Sequence, residues 1–196
     1  MNKKLKVGIF LFNEVEVLDF AGPFEVFSLP EKDNEKLFEV ITIAENTNTI
    51  SARNGLKIVP DATFLNHPEL DILIIPGGYG ADEIEIKNPV ALHWIKEQHS
   101  KVQLTASVCT GAFLLAECGL LDNKKATTHW MDLDILAKAY PKITVIKNVK
   151  YVDEETIITA GGISAGINMS FYIVKNIFGE EIAKFTAKRM EYDITI

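Results

Sequence analysis

Short, nearly all-apolar runs alternate with helically patterned segments along almost the whole chain. No other feature narrows the possible folds as much. The runs are "LKVGIFLF" (5–12), "FEVITIA" (38–44), "DILIIPGG" (71–78) and "VQLTASV" (102–108). Nearly continuous apolarity, rather than in–out alternation, marks strands buried on both faces. Between them, "LDFAGPFEVFSL" (18–29) sets Phe20, Phe24 and Phe27 at helical spacing, and "NPVALHWIKEQ" (88–98) opens with Asn-Pro, a helix start. "TVIKN" and "YVDEETIITAGG" (144–162) read as strands around the "DEET" turn; 164–190 reads as one long helix or two, broken near Gly179. Strands alternating with helices predict an α/β fold, a mainly parallel sheet with helices on both faces. A length of 196 residues suits a single domain over 1–196.

Composition excludes several roles. The net charge is −7, with no basic block, which speaks against nucleic-acid or anionic-membrane partners. No run approaches the ~18 apolar residues of a membrane span. The lysines and apolar run of "MNKKLKVGIFLFNEVEV" imitate a signal peptide, but Asn13, Glu14 and Glu16 end the run too early. Cys109 and Cys118 are the two cysteines. On one helix they would lie roughly 13 Å apart, beyond the reach of a disulfide. A chain with few cysteines and no bridge fits the reducing cytoplasm. None of the four histidines forms a His-x-x-x-His pair and there is no Cys-x-x-Cys, so no metal site is expected.

In parallel sheets of this kind chemistry gathers at the carboxyl ends of the strands. Those ends carry "FNEVE", "PGGYG", "VCTG" and "TAGGIS". Cys109 falls where a strand runs directly into a helix, and Thr110 and Gly111 give the small, tight turn of a nucleophile elbow. The positive end of the helix dipole would favour its thiolate. The same position also fits a buried structural cysteine. Gly77 and Gly78 make either an ordinary turn or a loop whose amides, with that of Thr110, could hold an oxyanion. Asp19 fits a helix cap, or an acid beside the thiol that transfers a proton. His129, in "KKATTHWMD", is the histidine placed nearest these loops, and Gly162 and Ile163 are candidate pocket-lining residues.

"LDFAGPFEVF", "IIPGGYG", "SVCTGAFLLAECGLLDNKKATTHW", "TAGGISAGINMSFYIV" and "KRMEYD" occur in that order. Together they resemble the ThiJ/PfpI superfamily (class I glutamine amidotransferase-like), in particular its isonitrile hydratases and the sensor domains of AraC-type regulators. The resemblance covers about residues 5–193. It implies a flavodoxin-like sheet with an elbow cysteine, a homodimer, a small-molecule substrate and no cofactor. It makes Cys109 the nucleophile, Asp19 the acid beside its sulfur and Thr110 the residue after the elbow. Protease-like members carry histidine where this chain has Thr110. The implied activity is isocyanide hydration to an N-formamide. Intracellular protease or amidase activity, glyoxalase or deglycase activity, and non-catalytic redox or ligand sensing are the alternatives.

Overall fold

A computed structural model describes residues 4–194. The strands of its main sheet are β1 (Leu5–Phe10), β2 (Phe38–Ala44), β3 (Ala62–Thr63), β4 (Ile72–Ile75), β5 (Leu104–Val108), β6 (Tyr151–Asp153) and β7 (Ile157–Ala160). The helices are α1 (Val17–Ser28), α2 (Tyr79–Glu83), α3 (Pro89–His99), α4 (Gly111–Glu117), α5 (Leu133–Ala139), α6 (Ala165–Phe178) and α7 (Glu180–Arg189). The sheet order is β6-β7-β5-β4-β1-β2-β3, parallel except for the antiparallel pair β6–β7. This is the mainly parallel, helix-covered sheet that the alternation of runs predicts, in the flavodoxin-like form that the resemblance implies.

The central strands carry no solvated face. Ile72 to Ile75 are at most 1% exposed, and Val7, Ile9, Ala106 and Val108 are fully buried. Helix α1 packs on α6, which packs on α7, while α2 and α3 both pack on α4. Strand order reverses between β1 and β4. That is the usual ligand position in such sheets, and here the loops after the two strands are tied together, Glu16 N–H donating to the Gly77 carbonyl at 2.9 Å and Gly80 N–H to that of Glu14 at 3.2 Å.

The α3 start follows the expected chemistry. Asn88 caps it, its side-chain oxygen accepting from Val90 N–H at 3.0 Å and Ala91 N–H at 3.4 Å, with Pro89 in the first turn. The 164–190 segment is two helices, divided at Gly179 with φ 91°. Thr144–Val145 is a strand, as its composition predicts, but it lies outside the main sheet and pairs in parallel with Lys125–Ala126. An apolar run reports burial, not which strand it joins. Both cysteines are free: Cys109 precedes α4 and Cys118 follows it. Among the described residues no helix is long and apolar enough to cross a membrane.

Candidate active site

Strand β5 delivers Cys109 into the turn before α4. Its φ is 55°, a left-handed conformation that costs a non-glycine residue about 1–3 kcal/mol. Backbone bonds hold it there. The Cys109 N–H lies 3.2 Å from the Ala160 carbonyl and 3.0 Å from that of Gly161, and donates to both. The buried Thr128 hydroxyl donates to the Cys109 carbonyl at 2.8 Å. Thr127 N–H in turn donates to Thr159 Oγ1 at 2.9 Å, anchoring the segment to β7. The elbow is thus clamped from the neighbouring strand and from the loop leading to His129.

Asp19 is not the cap of α1. Glu16 occupies that position, without a side-chain cap bond, and Asp19 lies in the first turn. Its side chain is 0% exposed. Oδ2 accepts from Gly77 N–H at 3.0 Å, while Oδ1 is buried without a hydrogen-bond partner. Burial raises this carboxyl from 3.8 to about 7, against the opposing pull of the Gly77 amide; Glu16 raises it further, while the neighbouring Cys109 thiol and Ile163 N–H lower it. A carboxyl poised there can take or give a proton at neutral pH.

The expectation of a dipole-lowered Cys109 pKa is overturned. Burial, then the Asp19 charge, push the thiol well above the usual range, and the Thr110 N–H only partly offsets them. Helix α4 has only seven residues, and burial and the Asp19 carboxylate both oppose its N-terminal field at the sulfur. The pair therefore rests as a thiol beside a carboxyl that is partly ionised near neutrality.

The proposed oxyanion pair is also changed. Gly78 N–H donates to Thr110 Oγ1 at 2.9 Å, and Gly77 N–H is taken by Asp19. The Thr110 N–H acts to lower the Cys109 thiol pKa. The approach needs glycine: a Cβ on Gly77 would lie 2.5 Å from the Thr110 nitrogen. Gly162 is equally constrained, because a Cβ there would enter the His129 ring. His129 Nδ1 lies 3.4 Å from Asp132 Oδ2. Ile163 has φ 49°, a rare conformation for a β-branched residue, with its side chain 40% exposed. The sequence-predicted residues thus converge on one end of the sheet.

Four further groups escaped the sequence reading: Thr127, Thr128, Asp82 and Asp132. Asp82 lies in α2, with Oδ1 buried and unpartnered. Burial raises its pKa, the Thr110 hydroxyl opposes that rise, and Asp132 adds to it. The one local signal was position: Asp82 follows the glycine loop, and the other three flank His129.

The sequence matches the DJ-1/PfpI family over residues 5–176. It is 32% identical over 190 residues to an isonitrile hydratase of Pseudomonas putida, covering 96% of this chain and 78% of that protein. It is 24% identical to the HTH-type transcriptional regulator GbdR of Pseudomonas aeruginosa, covering 95% of this chain but only 50% of the regulator. The crystal structure of a ThiJ/PfpI family protein from Pseudomonas syringae superposes with a TM-score of 0.88 at 26% identity, over 99% of this chain and 77% of that one. Elbow geometry, strand order and sequence likeness agree, and the chain belongs to the DJ-1/PfpI family.

Proposed function

We propose that the chain is a cofactor-free cysteine enzyme of isonitrile hydratase type, acting in the cytoplasm as a homodimer. The observation that carries this reading is the fully buried Asp19 carboxyl, raised to about 7, beside the thiol of a clamped elbow.

The chemistry follows from the proton inventory of that pair. The Cys109 thiol passes its proton to the Asp19 carboxylate as sulfur bonds to the terminal carbon of an isocyanide. Asp19 hands the proton to that carbon, leaving a neutral thioimidate and a carboxylate. The carboxylate then takes a proton from water as the oxygen adds to carbon, and returns that proton to nitrogen. Collapse breaks the C–S bond. The hydroxyl proton returns through Asp19 to the leaving sulfur, and an N-substituted formamide departs. One isocyanide and one water are consumed, and the thiol is restored. Sulfur and carboxyl supply every group the reaction uses.

The occupied Gly78 amide favours this reading over the amidase and protease alternatives. Acyl transfer develops charge on oxygen and uses two or more free donors. Isocyanide addition develops it on a carbon that Asp19 can protonate. The test is turnover of an alkyl isocyanide by wild type, Cys109→Ala and Asp19→Asn. Cys109→Ala is expected to be inactive and Asp19→Asn about 10²–10⁴-fold slower. Turnover by Cys109→Ala would exclude covalent catalysis. A wild type inert to isocyanides but active on methylglyoxal would replace this reading with the aldehyde one.

A further inference from the structure

We infer that Thr128 is a positioning residue for the reaction: its hydroxyl holds the Cys109 main chain in the left-handed turn that aims the sulfur. The inference rests on Cys109 being the reacting residue.

The conformation of Cys109 is fixed from both sides of the residue. On its amino side, the N–H is shared between the Ala160 and Gly161 carbonyls, at 3.2 and 3.0 Å. On its carboxyl side, the carbonyl accepts from the Thr128 hydroxyl at 2.8 Å and from Ala112 N–H at 3.3 Å. The first pair restrains the rotation before Cα and the second the rotation after it. Together they set where Cβ and sulfur point. The two carbonyl donors are not equivalent. Ala112 belongs to α4, the helix that the elbow itself begins, and its amide can follow the carbonyl if that first turn shifts. Thr128 comes from nineteen residues further along the chain and serves as an external reference.

That reference is itself held still. Thr127 and Thr128 are each 2% exposed. Thr127 N–H donates to Thr159 Oγ1 at 2.9 Å, and Thr159 stands opposite Ser107 in the β5–β7 register, two residues before the elbow. On the other side of Thr128, the His129 ring closes on Gly162, where a Cβ would enter the ring. The hydroxyl is thus gripped by the neighbouring strand and by the loop that also receives the Cys109 N–H. A left-handed non-glycine residue persists only where its surroundings over-determine it. Without the hydroxyl, the rotation after Cα is restrained only by a helix amide that moves with it. Cys109 then relaxes towards ordinary backbone angles and carries its sulfur to a new position. A displacement of about 1 Å at a reacting atom can cost about 10²-fold in rate.

The test compares Thr128→Val, which keeps the shape and removes the donor, with Thr128→Ser, which keeps the donor. Each is crystallised, and each is assayed for turnover of n-butyl isocyanide where urea curves show it fully folded. Valine should release Cys109 from its left-handed φ and lower kcat about 10–10²-fold, with KM within about twofold of wild type. Serine should keep the turn and hold kcat within about threefold of wild type. A merely structural bond would lower the urea midpoint and leave kcat of the folded protein unchanged. If Thr128→Val does not fold, Thr128→Cys, with a weak donor in place of the hydroxyl, replaces it in both measurements. A Cys109 that stays in place without the hydroxyl overturns the inference, as does an unchanged kcat or a serine variant as slow as the valine one. A wild type inert to isocyanides overturns the proposed function alone. The crystal structures then decide the positioning role by the φ of Cys109.

Discussion

Replacing Asp19 by asparagine should make the protein more stable at pH 8 and far less active. Well below pH 3.8 the carboxyl is protonated in both folded and unfolded chains, and the exchange is one neutral group for another. As pH rises past 3.8 the unfolded chain ionises, while the folded one holds its proton until about 7. Folded-state stability from this group is therefore fully present at low pH and lost across that window. At about 1.4 kcal/mol per pH unit, the wild type loses about 4 kcal/mol by pH 8 that the asparagine variant keeps. An unpartnered polar atom at the Oδ1 position is common to both proteins, and any difference between amide and protonated carboxyl there does not vary with pH. The diagnostic is thus the change in the stability difference between the two proteins. Urea unfolding at intervals from pH 4 to pH 8 measures it. A rise of about 4 kcal/mol in favour of the variant is expected. A difference constant to within about 1 kcal/mol would refute the raised carboxyl and, with it, the proton inventory of the mechanism.

Gly162→Ala should destabilise the protein by about 1–3 kcal/mol and displace the His129 ring, seen as a shift in urea midpoint and in that histidine's NMR signals. Thr128→Val leaves the buried Cys109 carbonyl without its 2.8 Å donor, so a loss of about 1–3 kcal/mol is expected, largely restored by serine; equal midpoints for valine and serine would contradict the clamp. Sedimentation equilibrium at micromolar concentration should give twice 21.8 kDa, since Leu18 and Phe24 on α1 are each 37% exposed and offer apolar surface to a second copy; a clean monomer mass would contradict it.

The fold was legible where its cause is local. Continuous apolar runs mark strands covered on both faces, and Asn88-Pro89 or Gly179 punctuates helices by rules that act within one turn of chain. Partnership was not. Thr144–Val145 has the composition of a sheet strand, yet its neighbour is chosen by the path of the chain through Lys125–Ala126. Ala62–Thr63 is too short to register as a pattern. The site divides in the same way. Cys109, Asp19 and the glycine loop announced themselves by residue type at strand ends. Thr127, Thr128, Asp82 and Asp132 are ordinary polar residues until folding sets them around the elbow. The direction of the Cys109 shift was misjudged because the helix dipole can be read from sequence, whereas desolvation and a carboxyl ninety residues away cannot.

The main sheet ends in its shortest strands, β6 with three residues on one side and β3 with two on the other. An edge recruits foreign strands in proportion to the run of unpaired N–H and C=O groups it displays. The two rims differ. At the β6 rim the outermost strand is short, and Tyr151 is occupied by Tyr172, their rings 4.6 Å apart. At the other, β3 covers only Ile43 and Ala44 of the seven-residue β2, so the Phe38–Ile41 stretch has no strand pairing on that side among the described residues. The β6 rim is thus the guarded one, and the start of β2 is where a foreign strand would find the most backbone to pair with.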